Sequence, residues 1–356
     1  MTDRLERARR LLDDLRLDAL LVTAKADVRY LSGFRGEDAW LLVGRQTALI
    51  ATDSRFWAQV AEEVAGFTLE KTEKLLEDTL KAVARDLGAQ AALGFQGGWT
   101  TYADYRRLRR LHEGRLRDVG ARVARLRMVK SPAELETMRR AAAVADAALE
   151  AVAATGLVGR TEAEVAWQIE TEMHERGAEG PAFETIVAAG ERAALAHAIP
   201  GGRRIGRGEL VVIDAGARVD GYCSDITRTL AAGTAGARQR SVYELVLQAQ
   251  LAGLAAVRPG VDGRAVDAAC RQIIEAAGHA DHFVHWAGHG VGLQVHEDPR
   301  LGRTVGDRLE AGMVHTVEPG VYIEGELGVR IEDTVVVTPA GCERLTLLPK
   351  ELRVVG

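Results

Sequence analysis

Four acids in this 356-residue chain stand at the ends of apolar, strand-like runs, where a carboxylate is costly unless something compensates its charge. Asp214 closes the run Leu210 to Ile213. Asp225 follows Tyr222-Cys223-Ser224, Glu318 follows Thr316-Val317, and Glu332 follows Val329-Arg330-Ile331. A buried acid of this kind calls for a metal or another cation. The four fall into two hairpins. Asp220-Gly221 between apolar runs predicts a tight turn that brings Asp214 and Asp225 onto neighbouring strands, roughly opposite each other. A second turn around Gly325 to Gly328 brings Glu318 and Glu332 together. Between the hairpins lies His285-Trp286-Ala287-Gly288-His289-Gly290, then His296-Glu297, with glycines that let the backbone approach a neighbour closely. Eight of the nine histidines fall between His174 and His315. Four carboxylates and one imidazole suit a pair of hard to borderline divalent cations, Mn²⁺ first, with Co²⁺, Fe²⁺ or Zn²⁺ as alternatives.

The elements that must position these groups read as α+β in two domains. The length exceeds what one compact core usually serves. In the first part, a charged helix to about Leu15 is followed by strand-like runs at Ala19 to Val22, Trp40 to Val43 and Ala48 to Ala51. Helical periodicity at Leu75 to Leu87, a strand at Ala91 to Phe95 and a helix at Tyr102 to Leu111 complete a small α/β domain. No Gly-rich phosphate loop follows any of its strands. The boundary falls at 126/127. Ser131-Pro132-Ala133-Glu134 is a capping box with proline in the first turn, and Thr161-Glu162-Ala163-Glu164 is a second capping box. Beyond Gly180, short β-branched runs separated by glycine alternate with helices near Ser241 to Val257 and Gly263 to Gly278.

Composition excludes several classes. A net charge of −5, with Arg and Lys spread among acids, gives no nucleic-acid footprint. No stretch reaches the roughly 20 apolar residues of a membrane span, and the charged N-terminus is unlike a signal peptide, so a cytoplasmic location is expected. The three cysteines share no metal spacing and read as free thiols.

In order, Ala196-His197-Ala198, Asp214, Asp225, Gly288-His289-Gly290, His296-Glu297, Glu318-Pro319-Gly320 and Arg330-Ile331-Glu332-Asp333 resemble the creatinase / aminopeptidase P / prolidase family. Arg29-Tyr30-Leu31-Ser32-Gly33-Phe34 and Met128-Val129-Lys130-Ser131 extend the resemblance over nearly the whole chain. It implies a creatinase-like N-terminal domain, residues 1–126, and a pita-bread metallopeptidase domain, residues 127–356. It also implies a ligand set in which Asp214 chelates one metal, His289 and Glu318 the other, and Asp225 and Glu332 bridge both. A water between the metals would attack the scissile carbonyl, with Glu318 accepting its proton. His296 would stabilise the oxyanion and His197 would contact substrate near the scissile bond. His285 would line the site for a proline ring, and Arg330 would orient the carboxylates from behind. Methionine aminopeptidases usually lack such an N-terminal domain, and creatinase works without metal, so the resemblance points to Xaa-Pro peptidases. Arg300 in His296-Glu297-Asp298-Pro299-Arg300 looks like the prolidase form, in which an Arg meets the free carboxylate of a dipeptide; the alternative is an aminopeptidase P acting on longer peptides. The family commonly forms homodimers, which would set the loop Arg35 to Trp40 near a neighbour's site.

Competing readings are a peptide-binding module without metal and a hydrolase of another C–N bond. Asp220 and Asp333 read as turn and flank residues, and Glu297 and Asp298 as loop surface. His315 should face away from Glu318 by strand alternation, and His112, His174, His279 and His282 read as surface histidines.

Overall fold

The computed structural model describes residues 2–356, which divide into two compact units, one ending at Arg127 and the other spanning Met128–Gly356. The first unit holds one six-stranded mixed sheet. Its central strand, Ala19–Val22, pairs antiparallel with Trp40–Gly44 and parallel with Leu93–Phe95. The helices Leu75–Leu87 and Tyr102–Leu111 cover it through Leu76, Leu80, Val83 and Leu108. The helices Lys25–Ser32 and Trp57–Glu63 are short pieces that apolar periodicity alone does not announce. His112 is not a surface residue: its ring lies buried with Nε2 2.8 Å from the Ala91 carbonyl oxygen.

In the second unit, both capping boxes form. Ser131 Oγ and Thr161 Oγ1 accept from Glu134 and Glu164 amides, opening helices Pro132–Ala154 and Glu162–Glu175. A second helix pair is Ala237–Ala256 with Gly263–Ala276. Each pair covers one half of a split β-layer. Leu149, Val152, Val165 and Ile169 pack on Val211, Ile213, Ile226 and Leu230. Val246, Ala249, Val266 and Cys270 pack on Val317, Val329 and Val335. Because strand side chains alternate, burying Val211, Ile213 and Ala215 under helices sends Asp214 to the opposite face. The site is built on that inner face. No helix among the described residues is long and apolar enough to cross a membrane.

Candidate metal centre

The first hairpin turns at Asp220 and Gly221, whose φ values of 45° and 75° are both left-handed, as a two-residue turn between twisted strands requires. Its register pairs Asp214 with Thr227 and Ala217 with Ser224, so Asp225 lies across from Gly216 rather than from Asp214. Asp225 is nonetheless two residues from Thr227, and therefore on the face that Asp214 uses. In the second hairpin, Val317 pairs with Asp333 and Gly320 with Arg330, which sets Glu318 across from Glu332. The ladder opens at these two acids. The Glu318 amide donates instead to the Ala287 carbonyl at 2.9 Å, and the Glu332 amide to the Thr227 carbonyl at 3.1 Å. Those two bonds tie the second hairpin to the histidine segment and to the first hairpin.

His289 sits in the middle of strand Gly288–Gly290. The flanking glycines answer a packing constraint, since a Cβ on Gly288 would stand 2.1 Å from the Thr316 carbonyl oxygen, and one on Gly290 2.2 Å from that of Asp298. His289 Nδ1 is 3.1 Å from the Gly290 carbonyl oxygen, an arrangement that keeps the proton there and turns the Nε2 lone pair inward. Nε2 lies 3.3 Å from Glu318 Oε1 and 3.6 Å from Asp225 Oδ2. One ligand atom each from Asp225, His289 and Glu332 fit within 4.8 Å of one another.

Supporting groups follow the two-residue repeat. Thr316 Oγ1 donates to Glu318 Oε1 at 3.1 Å, and Thr227 Oγ1 to Glu332 Oε2 at 2.7 Å. Arg330 donates to Asp214 Oδ2 at 2.7 Å, to Thr227 Oγ1 at 2.9 Å and to the Tyr322 hydroxyl at 2.7 Å. The Tyr322 hydroxyl lies 2.8 Å from His285 Nε2, and His285 Nδ1 is 4.0 Å from Glu318 Oε2. The His296 ring centroid is 4.3 Å from that of His289. His197 lies exposed in the irregular stretch that follows the 3₁₀ turn Gly190–Ala194, next to Ala196, whose carbonyl accepts from Arg330 at 3.2 Å. Arg300 pairs in register directly with His289, so both side chains leave the same sheet face. Thr227, Thr316 and Tyr322 escape a motif reading; strand alternation from Asp225, Glu318 and Gly320 is the signal that finds them.

The electrostatics favour a cation. Burial, then the charges of Glu332, Asp214 and Glu318, push the Asp225 carboxyl well above the usual range. Burial, then Glu318 and Asp214, does the same to Glu332, and burial raises Glu318. Burial holds His285, His289 and His296 below the ordinary imidazole value, which suits neutral, lone-pair-donating rings. Asp214 Oδ1 is buried without a hydrogen-bond partner. Buried oxygens, one of them orphaned, with a neutral imidazole beside them are a donor set that divalent cations fit.

Three readings of the sequence need correction. Asp333 is no flank residue: it is fully buried and accepts from Arg228 at 2.8 Å, Lys350 at 2.9 Å, Gln250 at 3.1 Å and Thr346 at 3.2 Å. Glu297 is no loop-surface acid, because its carboxylate meets Lys130 Nζ at 2.8 Å with the two side chains 4% and 1% exposed. His279 and His282 face each other, Nδ1 to Nδ1 at 3.0 Å, half-buried rather than free on the surface. His315, by contrast, is buried on the far side of its strand as alternation requires.

The comparisons with known proteins agree with this architecture. The family model of metallopeptidase family M24 matches residues 136–339, and that of the creatinase/prolidase N-terminal domain matches residues 4–129. The chain is 36% identical to the Xaa-Pro dipeptidase of Pyrococcus furiosus over 356 residues, 99% of this chain and 100% of that one. Among solved structures, an Xaa-Pro dipeptidase from Bacillus anthracis superposes with a TM-score of 0.96 at 36% identity, covering 99% of both chains. An X-Pro aminopeptidase from Thermotoga maritima superposes with a TM-score of 0.91 at 35% identity, again over 99% of both. With the full-length match to an Xaa-Pro dipeptidase and the clustered acids on the inner face, the chain belongs to metallopeptidase family M24, a family of divalent-metal hydrolases, and carries the creatinase/prolidase N-terminal domain.

Proposed function

We propose that the protein is a cytoplasmic Xaa-Pro dipeptidase that acts as a homodimer with two Mn²⁺ ions. The observation that carries the dipeptide specificity is the register pairing of Arg300 with His289. A dipeptide has one residue, roughly 3.8 Å of chain, between its scissile carbonyl and its free carboxylate. A cation that reads that carboxylate must therefore leave the same face as the imidazole beside the reacting bond, and Arg300 does. Asp307 Oδ2 accepts from the Arg300 amide at 2.9 Å and from Nε at 3.3 Å, while the side chain stays 42% exposed to an incoming ligand. A bidentate Arg–carboxylate contact would favour dipeptides, since a longer peptide has a neutral amide there.

Held by Asp214, Asp225, His289, Glu318 and Glu332, the two divalent ions would supply an activated water and polarise the scissile carbonyl. Glu318, its carboxyl raised by burial and fixed at Oε1 by Thr316, accepts the proton of the attacking water. His296, beside His289, donates to the developing oxyanion. His197 contacts substrate next to the scissile bond. His285, steadied by the Tyr322 hydroxyl, lines the proline ring's place. Arg330 keeps Asp214 oriented.

The test is hydrolysis of an Xaa-Pro dipeptide beside an Xaa-Pro-Xaa tripeptide by Mn²⁺-loaded enzyme, with Arg300→Ala in parallel and a chelated control. Dipeptide cleavage that vanishes with chelator and falls about 10- to 100-fold in the variant, the value of one lost charge-assisted pair, supports the proposal. Tripeptide cleavage indifferent to the variant would make the protein an aminopeptidase P acting on longer peptides. Equal cleavage of peptides with alanine in place of proline would remove the proline specificity.

A further inference from the structure

His197 rides on a surface segment with little regular structure: a 3₁₀ turn, Gly190–Ala194, and then an irregular stretch to Gly201. Segments of this kind are mobile unless their backbone groups are tied down. One carboxylate ties both ends of this one. Glu162, wholly buried at the first turn of helix Glu162–Glu175, accepts from the Ala189 amide at 3.0 Å, where the segment begins, and from the Gly201 amide at 3.4 Å, where it ends. The same carboxylate accepts from Arg192 Nε at 3.2 and 3.1 Å. Arg192 then reaches across the segment to donate to the Ile199 carbonyl at 2.7 Å. On the other side of His197, Arg330 donates to the Ala196 carbonyl at 3.2 Å. The turn also lies against strand Leu327–Arg330 so closely that a Cβ on Gly328 would stand 1.8 Å from the Ala193 carbonyl oxygen. His197 is thus suspended between two guanidinium-held carbonyls, one on each side.

We infer that Glu162 is a positioning residue: it closes the neck of the 189–201 segment, aligns Arg192, and through them fixes where His197 meets the substrate. The inference rests on the proposed role of His197. Glu162 touches no reacting atom, and its nearest functional effect passes through the backbone of residues 196–199. A carboxylate is needed because three donors converge on two oxygens; glutamine of the same size offers one acceptor and one donor, and so loses at least one of them.

The experiment is a double-mutant cycle of Glu162→Gln and His197→Ala in the full-length Mn²⁺-loaded enzyme, read as kcat and KM on an Xaa-Pro dipeptide, with hydrogen exchange of the 189–201 amides measured on the same proteins. Misplacing a substrate-contacting group by about 1 Å costs on the order of 10²-fold, so Glu162→Gln is expected to lower kcat/KM by 10- to 100-fold. In the His197→Ala background the same change should cost less than about 2-fold, because the group it positions is gone. Amides of 189–201 should exchange faster in Glu162→Gln, with those of strands Leu210–Ala215 and Val314–Val317 unchanged. An equal loss in both backgrounds, no loss in either, or exchange that rises throughout the unit overturns the inference. If Glu162→Gln does not fold, Arg192→Ala, whose side chain is one-third exposed, enters the same cycle with the same reading. If the wild type cleaves no Xaa-Pro peptide, the dipeptidase proposal fails, and the exchange pattern alone decides whether Glu162 holds the segment.

Discussion

Asp225 and Glu332 carry the heaviest electrostatic load of any side chains in the centre, each buried among the other acids. Replacing either by its amide removes one anionic oxygen from a site that depends on it. Asp225→Asn and Glu332→Gln are each expected to lower kcat by about 10²- to 10³-fold, the scale on which a lost electrostatic stabiliser acts, and to lower the Mn²⁺ bound per chain; both are read by steady-state rates and metal analysis. Retained activity in both would place the metal elsewhere. The same raised carboxyls set a pH dependence. An acid whose folded pKa lies above its unfolded value, about 4, stabilises the fold while protonated, and that contribution is lost as pH rises through the folded pKa. Chelated protein should therefore gain more from Mn²⁺ at pH 8 than at pH 6. Calorimetric Tm with and without metal at the two pH values measures the difference; a metal-induced Tm rise that is the same at both would contradict the assignment. His315, pushed down to about 4 by burial, acts in the other direction on both forms, its contribution present above about pH 6.5 and lost as pH falls towards 4, so it cancels from the comparison.

At the scale of elements, the loop that presents His296 is anchored by an ion pair rather than by its own hydrogen bonds alone. Lys130 Nζ, at the start of the second unit, meets Glu297 in a nearly dry setting, and the Lys130 amide donates to the Gly312 carbonyl at 2.9 Å. Removing one partner of a buried pair leaves the other charge uncompensated, at about 3–5 kcal/mol. Lys130→Met should lose about that much stability in urea unfolding, and Lys130→Met with Glu297→Leu should recover most of it. A loss below about 1 kcal/mol for the single variant would mean that water reaches Glu297 after all. This pair also marks where sequence reading ends. The hairpins around Asp214 and Glu318 were legible because a turn signal and a two-residue repeat act over a few residues. Lys130 and Glu297 meet across 167 positions, and Asp333 and Arg228 across 105, with no local pattern to announce them. Glu297 therefore reads as a loop-surface acid and Asp333 as a flank residue. Helix starts were legible where a cap fixes them, as at Ser131 and Thr161. The helix Ala237–Ala256 begins four residues before the expected Ser241, because its entry is capped by Gly236 and Gln239 instead of a hydroxyl.

Across the whole molecule, the centre collects side chains from segments that share no continuous strand, and the Glu318 and Glu332 amides spend their hydrogen bonds on Ala287 and Thr227 instead of on each other. Each bond exists only once its own two segments have docked. In a refolding chain, helices and single hairpins form within microseconds, whereas contacts of such long sequence separation come late. High-affinity Mn²⁺ capture is accordingly expected to trail the recovery of far-ultraviolet circular dichroism and to coincide with the last step that restores activity; capture that keeps pace with helix formation would contradict it. With the ion held as proposed, the opened ladder would act as an assembly checkpoint: a half-folded chain, with its acids still apart, would have no hold on the ion, and the hydrolytic centre would stay inert until the fold around it is complete.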